Sequence, residues 1–395
     1  MTAAAPTLDI DPFSEGFLAD PYAHHEQLRE AGPVVWLGRI GVYGMARHEQ
    51  VHAALRDHQT FCSGRGVGLA DFAREPPWRD PSLLLEADPP EHDRARAIVN
   101  RVLSQGLQAL KPAWTEKAEA LADELAKRRA FDAVLDLAEV FPLLLFPDAV
   151  GVPQDGREQL LPYARAVFNA FGPRNAVFAE GAEEARDAVA WVAAACRRDA
   201  LTTEGWGAQV YAAAARGECT EAEAGRLIRS FLSAGIDTTV NALGHLFLGF
   251  ATHPGSWEKV RSDPTLRKSA FEESLRWDST VQTFFRTTTR PVIVAECDIP
   301  EAAKVVLFLG AANRDPRRWA QPEVFDVERA ASGHVAFGSG LHQCAGQWIA
   351  RVEAELVLNA LAPRIKTIRL AGPPQRRLNN TLHAISRLPV AIEPA

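Results

Sequence analysis

Residues 337–346 read Phe-Gly-Ser-Gly-Leu-His-Gln-Cys-Ala-Gly and decide how the rest of the chain is interpreted. Glycine tolerates positive φ, so Gly338 and Gly340 predict a tight loop whose backbone approaches a flat ligand closely. Cys344 follows this loop and opens a predicted helix that runs to about Ala362. Amide donors and the positive end of the helix dipole stabilise a thiolate there. The stretch therefore predicts a metal-binding Cys344, and a glycine-rich turn with an inert cysteine is the alternative.

A cysteine thiolate on haem iron pushes electron density onto the metal and favours cleavage of bound dioxygen. On this motif the chain resembles the bacterial cytochromes P450 from end to end. The resemblance implies a mainly α fold with small β-sheets and one large domain over residues 1–395. It also implies a haem b that contacts Phe337 and whose iron is ligated by Cys344, and an oxidoreductase that inserts one atom of dioxygen into its substrate.

Four further residues match family positions that bind the two haem propionates: His92, Arg96, Arg286 and His342. Buried carboxylates need cationic or hydrogen-bonding donors, which these side chains supply. His92 and Arg96 lie four apart on a predicted helix and share a face. Taken alone, that pair is equally well explained as a solvated helix face.

Glu273 and Arg276 lie one turn apart on a predicted helix and can form an ion pair. The resemblance implies that this pair is buried and is completed by a residue of the later meander, here Arg329. We assign these three residues to folding and to the haem pocket rather than to chemistry.

The longest helical candidate, residues 222–252, is apolar over most of its circumference and should cross the core. Polar groups and Gly235 interrupt its middle, where a glycine weakens the helix and admits a ligand or a bulge. We interpret Asp237 and Thr238 as a relay that delivers protons to iron-bound dioxygen. A threonine that bonds a carbonyl one turn earlier is the alternative.

Four segments resemble one narrower group within the bacterial cytochromes P450: residues 63–69, 77–82, 162–172 and 282–289. They are similar to the P450 monooxygenases that O-demethylate 4-methoxybenzoate and hydroxylate 4-alkylbenzoates. The resemblance implies a small aromatic carboxylic acid as substrate. Another small aromatic or phenolic substrate is the alternative, because one fold serves many substrates.

The same segments predict the residues around that substrate. An apolar slot for a flat ring is expected from Leu85, Phe168, Phe171, Leu232, Val281 and Phe284. A polar far end that holds the carboxylate is expected from Arg79, Ser82, Ser230 and Ser233. For any single phenylalanine, ordinary core packing is the alternative.

Two positions depart from those relatives. Asp80 replaces an expected proline beside Arg79, where an acid that faced inward would neutralise the arginine or repel an anionic substrate. His383, with the three residues after it, replaces an expected Arg-Gly-Leu and is expected to reshape the pocket roof.

Composition excludes several classes of protein. Acidic residues outnumber basic ones, 50 to 43, for a net charge of −7, which argues against a general nucleic-acid binder. Residues 1–20 lack the basic-then-apolar order of a signal peptide, and no stretch approaches the ~20 apolar residues that span a bilayer. Five widely spaced cysteines predict neither a disulfide framework nor a zinc site. We expect a cytoplasmic monomer.

No flavin or nicotinamide domain is recognisable, so the electrons are expected from a [2Fe–2S] ferredoxin and its reductase. Arg94, Arg101 and Arg351 are candidates for the docking face. A peroxide-driven enzyme that needs no partner is one alternative, against which the Asp237-Thr238 pair argues. A haem sensor without oxidation is another, and it leaves the thiolate and the relay unexplained.

The coarse elements agree with a mainly helical body. Residues 34–37 and 42–45 predict a hairpin, and residues 291–309 predict a second β region. Residues 116–129 and 182–198 predict helices, and Thr220 is expected to cap the long helix that follows.

Overall fold

The computed structural model describes residues 4–395 and has the predicted mainly α fold with small sheets. The helices are α1 Glu15–Ala19, α2 Tyr22–Ala31, α3 His48–Arg56, α4 Glu91–Ala126, α5 Val140–Val150, α6 Leu160–Asn169, α7 Ala176–Glu184, α8 Arg186–Ala195, α9 Trp206–Ala215, α10 Glu221–Ala234, α11 Asp237–Thr252, α12 Pro254–Ser262, α13 Leu266–Trp277, α14 Leu309–Asn313 and α15 Gln347–Leu361. No helix among residues 4–395 has the length and apolarity to cross a membrane.

The strands are β1 Thr7–Leu8, β2 Val35–Leu37, β3 Val42–Met45, β4 Phe61–Cys62, β5 Ala130–Asp132, β6 Thr283–Thr288, β7 Val292–Val294, β8 Cys297–Ile299, β9 Lys304–Phe308, β10 Ile365–Leu370, β11 Gln375–Arg377, β12 Ala384–Arg387 and β13 Pro389–Pro394. The largest sheet has the order β1-β2-β3-β9-β6-β4. The predicted hairpin is confirmed, with Val35 opposite Gly44 in an antiparallel pair. Strand β6 carries Phe284 and Arg286, so this sheet positions two of the predicted site residues.

The core is built around α11, in which every residue from Thr239 to Ala251 is buried. A helix that is apolar all round must be enclosed by other elements, and α11 packs against α12, α13 and β10. Its predecessor α10 begins at Thr220, which forms a capping box with Glu223. The predicted cap is therefore confirmed.

The predicted single helix 222–252 was wrong in one respect, because α10 and α11 are separate and meet at Gly235 and Ile236. Packing against α5 explains why a glycine stands there. A Cβ on Gly235 would lie 2.3 Å from Cζ of Phe146, so no larger residue fits against that ring. The predicted helix 182–198 is likewise divided, at Ala185, between α7 and α8.

The loop before α15 is held in place from two sides. The amide of Cys344 donates to the carbonyl of Phe337 at 2.8 Å and closes the loop. Gly340 has a φ of +71°, and a Cβ there would lie 2.9 Å from the Leu55 carbonyl oxygen. Only glycine fits both the backbone conformation and the close approach.

Candidate haem-thiolate active site

One cavity lies between the Cys344 loop, α4, α10, α11 and β6. Cys344 lines it together with Phe337, Gly338 and Gly346. Nine of the ten residues predicted to surround the substrate also line it: Arg79, Ser82, Leu85, Phe168, Phe171, Ser230, Ser233, Val281 and Phe284. Leu232 does not, because it is fully buried on another face of α10. The prediction for Leu232 was wrong.

The Cys344 side chain lies just before the first turn of α15. Burial raises the pKa of its free thiol, whereas the backbone amides of Gly346 and Gln347 lower it. The guanidinium groups of Arg96 and Arg351 act in the same direction as the amides. These donors stabilise the thiolate in an otherwise apolar position, which is the state that a metal ligand requires.

Cationic and hydrogen-bonding groups gather at one edge of the cavity, where Arg96, Arg286 and His342 line it. Arg286 is 2% exposed, and burial lowers its pKa to about 10. Among residues 4–395 no carboxylate lies within 4.0 Å of its guanidinium. A buried, unpaired guanidinium is costly and calls for an anionic ligand.

His92 packs edge-on against His342, with ring centroids 4.6 Å apart. It does not itself line the cavity, yet the Nε2 atoms of both histidines are buried and without a hydrogen-bond partner among the described residues. Two unsatisfied nitrogens beside two arginines form the donor set that two carboxylates need.

Glu273, Arg276 and Arg329, which the sequence predicts to form a cluster, contact one another directly. Arg276 donates to both oxygens of Glu273 at 2.7 and 2.8 Å, and Arg329 donates to one of them at 3.1 Å. Glu273 and Arg276 are fully buried, and the cluster fixes the segment that leads into the Cys344 loop.

Asp237 and Thr238 are consecutive residues in the first turn of α11, and only Thr238 lines the cavity. Thr238 lines the cavity and donates from its hydroxyl to the Ala234 carbonyl at 2.7 Å. Asp237 lies behind the cavity wall, 3.8 Å from Nε of Arg165, and one of its oxygens has no hydrogen-bond partner among the described residues. Burial raises the pKa of Asp237 above that of an exposed aspartate, whereas the charge of Arg165 lowers it.

The apolar slot is made of three aromatic rings in edge-to-face contact. The centroids of Phe168 and Phe171 are 5.8 Å apart, and those of Phe171 and Phe284 are 5.9 Å apart. Such contacts fix the ring orientations, so the three rings form one continuous apolar wall of the cavity. Val281 and Leu85 close the sides.

The polar far end contains an ion pair that the sequence did not indicate. Nη2 of Arg79 lies 3.1 Å from Oε2 of Glu86, and both side chains are at least nine-tenths buried. Nε of Arg79 is buried with no partner among the described residues. Ser82 and Ser230 complete this end, with their hydroxyl oxygens 3.1 Å apart.

Asp80 is exposed, so it does not face the pocket, and the condition under which it would neutralise Arg79 is not met. Its backbone carbonyl instead accepts bonds from Arg79 at 2.8 Å and from Arg229 at 2.7 Å. No motif pointed to Arg229 or Glu86. The only sequence signals were an arginine directly before Ser230 and an acid four residues after Ser82.

His383 lies behind the cavity wall rather than in its lining. Its Nδ1 is 2.7 Å from Oδ1 of Asp278, and both residues are buried. The preceding residue, Leu382, forms a β-bridge with Val281, which does line the cavity. His383 therefore affects the pocket through the position of this wall.

A single thiolate on one side and a buried set of anion-binding groups at the edge define a haem-thiolate pocket. A model of the cytochrome P450 family matches residues 208–362. The chain is 51% identical to cytochrome P450 CYP199A2 of Rhodopseudomonas palustris, over all of this chain and 96% of that one. It is 32% identical to beta-dihydromenaquinone-9 omega-hydroxylase of Mycobacterium tuberculosis, over 98% and 79% of the two chains.

The solved structure of P450BioI with a hexadec-9Z-enoic acid-ligated acyl carrier protein superposes with a TM-score of 0.84 at 26% identity. That match covers 96% of this chain and 100% of the other. The protein thus belongs to the cytochrome P450 family and is a monooxygenase. Its cofactor is haem, with Cys344 as the iron ligand; when bound, the haem supplies the site at which dioxygen is activated.

Proposed function

We propose that this P450 oxidises para-substituted benzoic acids, by O-demethylation or hydroxylation of the para substituent. The observation that carries the proposal is the unpartnered Nε of Arg79 beside the Ser82–Ser230 pair, at the far end of an aromatic slot. A carboxylate accepts bonds from such donors, and a flat ring can pack against the wall that the phenylalanines form.

This arrangement orients the substrate. A carboxylate held at the Arg79 end directs the para position of the ring along the slot toward the cavity wall that carries Thr238 and Cys344. Binding energy at the remote end is thereby used to align the reacting carbon, which is a contribution of positioning rather than of chemistry.

Thr238 and Asp237 are proposed as the relay that supplies protons during the reaction. Thr238 presents its hydroxyl on the cavity side, and Asp237 lies one residue away behind the wall, near Arg165. A buried carboxyl with a raised pKa, next in the chain to a hydroxyl that lines the cavity, can exchange protons where bulk water is excluded.

The electron donor is proposed to be a [2Fe–2S] ferredoxin with its reductase. Arg94, Arg101 and Arg351 stay candidates for its docking face, and each forms an ion pair, with Glu223, Glu218 and Glu272 respectively. Comparing turnover with a ferredoxin system and with peroxide alone tests this part. Equal turnover would favour a peroxide-driven enzyme.

Titration of the ferric haem protein with 4-methoxybenzoate and with neutral 4-methoxytoluene tests the substrate class. The acid should displace the water on the iron and shift the spectrum from low to high spin, whereas the neutral ether should do so only weakly. An equal response to the two compounds would contradict the carboxylate anchor.

A further inference from the structure

At the far end of the cavity, the cationic side chains have a buried carboxylate beside them, that of Glu86. Glu86 lies behind the wall, 3.1 Å from Nη2 of Arg79, and its side chain is 4% exposed. The same oxygen accepts the Ser82 amide at 2.9 Å, and the Glu86 amide donates to the Ser82 carbonyl at 2.9 Å. These two backbone hydrogen bonds hold the acid beside Arg79.

A second cation shares this region. Arg229 donates to the Asp80 carbonyl, and no acid lies within 4.0 Å of it among residues 4–395. Burial lowers its pKa, and the nearby charge of Arg79 lowers it further. Arg79, Arg229 and Glu86 together carry one net positive charge, so the cluster attracts an anion although Arg79 is already paired.

We infer that Glu86 is a specificity-determining residue that sets the preference of the pocket for an acidic over a neutral substrate. It acts through Arg79 and does not line the cavity, so it is a positioning residue and not a catalytic one. A ligand carboxylate would meet Arg79 with its charge partly compensated by Glu86, and two like charges in one poorly hydrated site repel each other. Glu86 thus weakens the binding of the acid while it holds Arg79 in place.

This inference rests on the proposed function, since it concerns how the same pocket recognises a carboxylate. Glu86→Gln tests it, because the amide keeps the shape and an oxygen to accept the Ser82 amide but removes the charge. Asp80→Asn is the matched control, since it removes the same charge from an exposed residue next to Arg79. The measurement is the spin-state titration of each haem-loaded variant with 4-methoxybenzoate and 4-methoxytoluene, expressed as the ratio of the two affinities.

In Glu86→Gln the acid-to-neutral ratio should rise about tenfold, the effect of removing one like charge from a poorly solvated site. In Asp80→Asn it should change less than about twofold, because solvent screens an exposed charge. An unchanged or lower ratio in Glu86→Gln would overturn the inference. The proposed function fails by a different result, namely a wild-type protein that binds the acid and the neutral ether equally. The role of Glu86 is judged only from the change in the acid-to-neutral ratio between the wild type and Glu86→Gln.

A second variant keeps the inference testable if Glu86→Gln does not retain haem. The double variant Arg79→Gln with Glu86→Gln leaves neither charge of the buried pair without its partner, so it should fold. Both this variant and Arg79→Gln lack the Arg79 donor, but only the double variant also lacks the charge of Glu86, so its acid-to-neutral ratio should be about tenfold higher than that of Arg79→Gln. Equal ratios in the two variants would refute a role for Glu86.

Discussion

The buried Glu273–Arg276 pair should dominate the stability of the part of the fold that carries the cysteine loop. One oxygen of Glu273 accepts bonds from Arg276, from Arg329 and from the amide of Asp326, at 2.8, 3.1 and 3.0 Å. The other accepts Nε of Arg276 at 2.7 Å. The substitution Glu273→Gln keeps the volume of the side chain but leaves Arg276 as an uncompensated charge in the core.

The size of the effect follows from the burial of the pair. Neither side chain is exposed at all, so solvent cannot screen the charge that remains. Removing one partner of a buried ion pair costs about 3–5 kcal/mol. That is a large part of the ~5–15 kcal/mol by which proteins are usually stable. We therefore expect Glu273→Gln to lower the denaturant midpoint strongly and to accelerate haem loss.

Denaturant unfolding followed by haem absorbance and by helical circular dichroism measures both effects. Glu328→Gln is a suitable control, because Glu328 forms an ion pair with Lys259 in which both side chains are more than half exposed. The control should unfold like the wild type, since exposed pairs contribute little. If Glu273→Gln unfolded at the same midpoint as the control, the cluster would not have the structural role argued above.

Three further substitutions test other parts of the site. Thr238→Ala should lower the fraction of NADH consumed that appears as product while leaving the substrate-induced spin shift intact, and unchanged coupling would contradict the relay. Asp237→Asn should slow product formation by about 10²-fold, as expected for loss of a general acid, and measured turnover near the wild-type value would remove Asp237 from the relay. Arg286→Met should lower the haem content of the purified protein, because the apolar side chain offers nothing to a propionate, and full haem occupancy with an unchanged rate of transfer to apomyoglobin would argue against that contact.

The haem side of the site could be predicted from the sequence because its chemistry depends on short, local patterns. The glycines around Cys344 and the three-residue spacing of Glu273 and Arg276 specify backbone shape and contact geometry almost by themselves. The cap at Thr220 is equally local, and it was confirmed to the residue.

The far end of the pocket could not be predicted in the same way. The partner of Arg79 is Glu86, seven residues later, and nothing in the spacing says that the chain turns back to bring them together. Asp80 is adjacent to Arg79 in the sequence and is therefore the acid that the sequence suggests as its partner, yet Asp80 is exposed to solvent. Distant contacts such as that of Arg229 with the Asp80 carbonyl depend on tertiary packing, which a local pattern does not encode.

The break between α10 and α11 was missed for a related reason. Gly235 was recognised as a weak point, but the ring that requires a glycine there belongs to α5, some ninety residues earlier in the chain. Local propensity predicted a continuous helix, and a contact between distant segments decided otherwise.

The ring of Phe146 makes two kinds of contact, since it packs against Gly235 and also lines the cavity. One side chain therefore sets both the width of the substrate chamber and the place where the helix bearing Asp237 and Thr238 restarts. A smaller side chain at Phe146 would widen the chamber and at the same time remove the ring that packs against Gly235. The volume of the chamber and the position of Thr238 on its wall are thus coupled through one side chain.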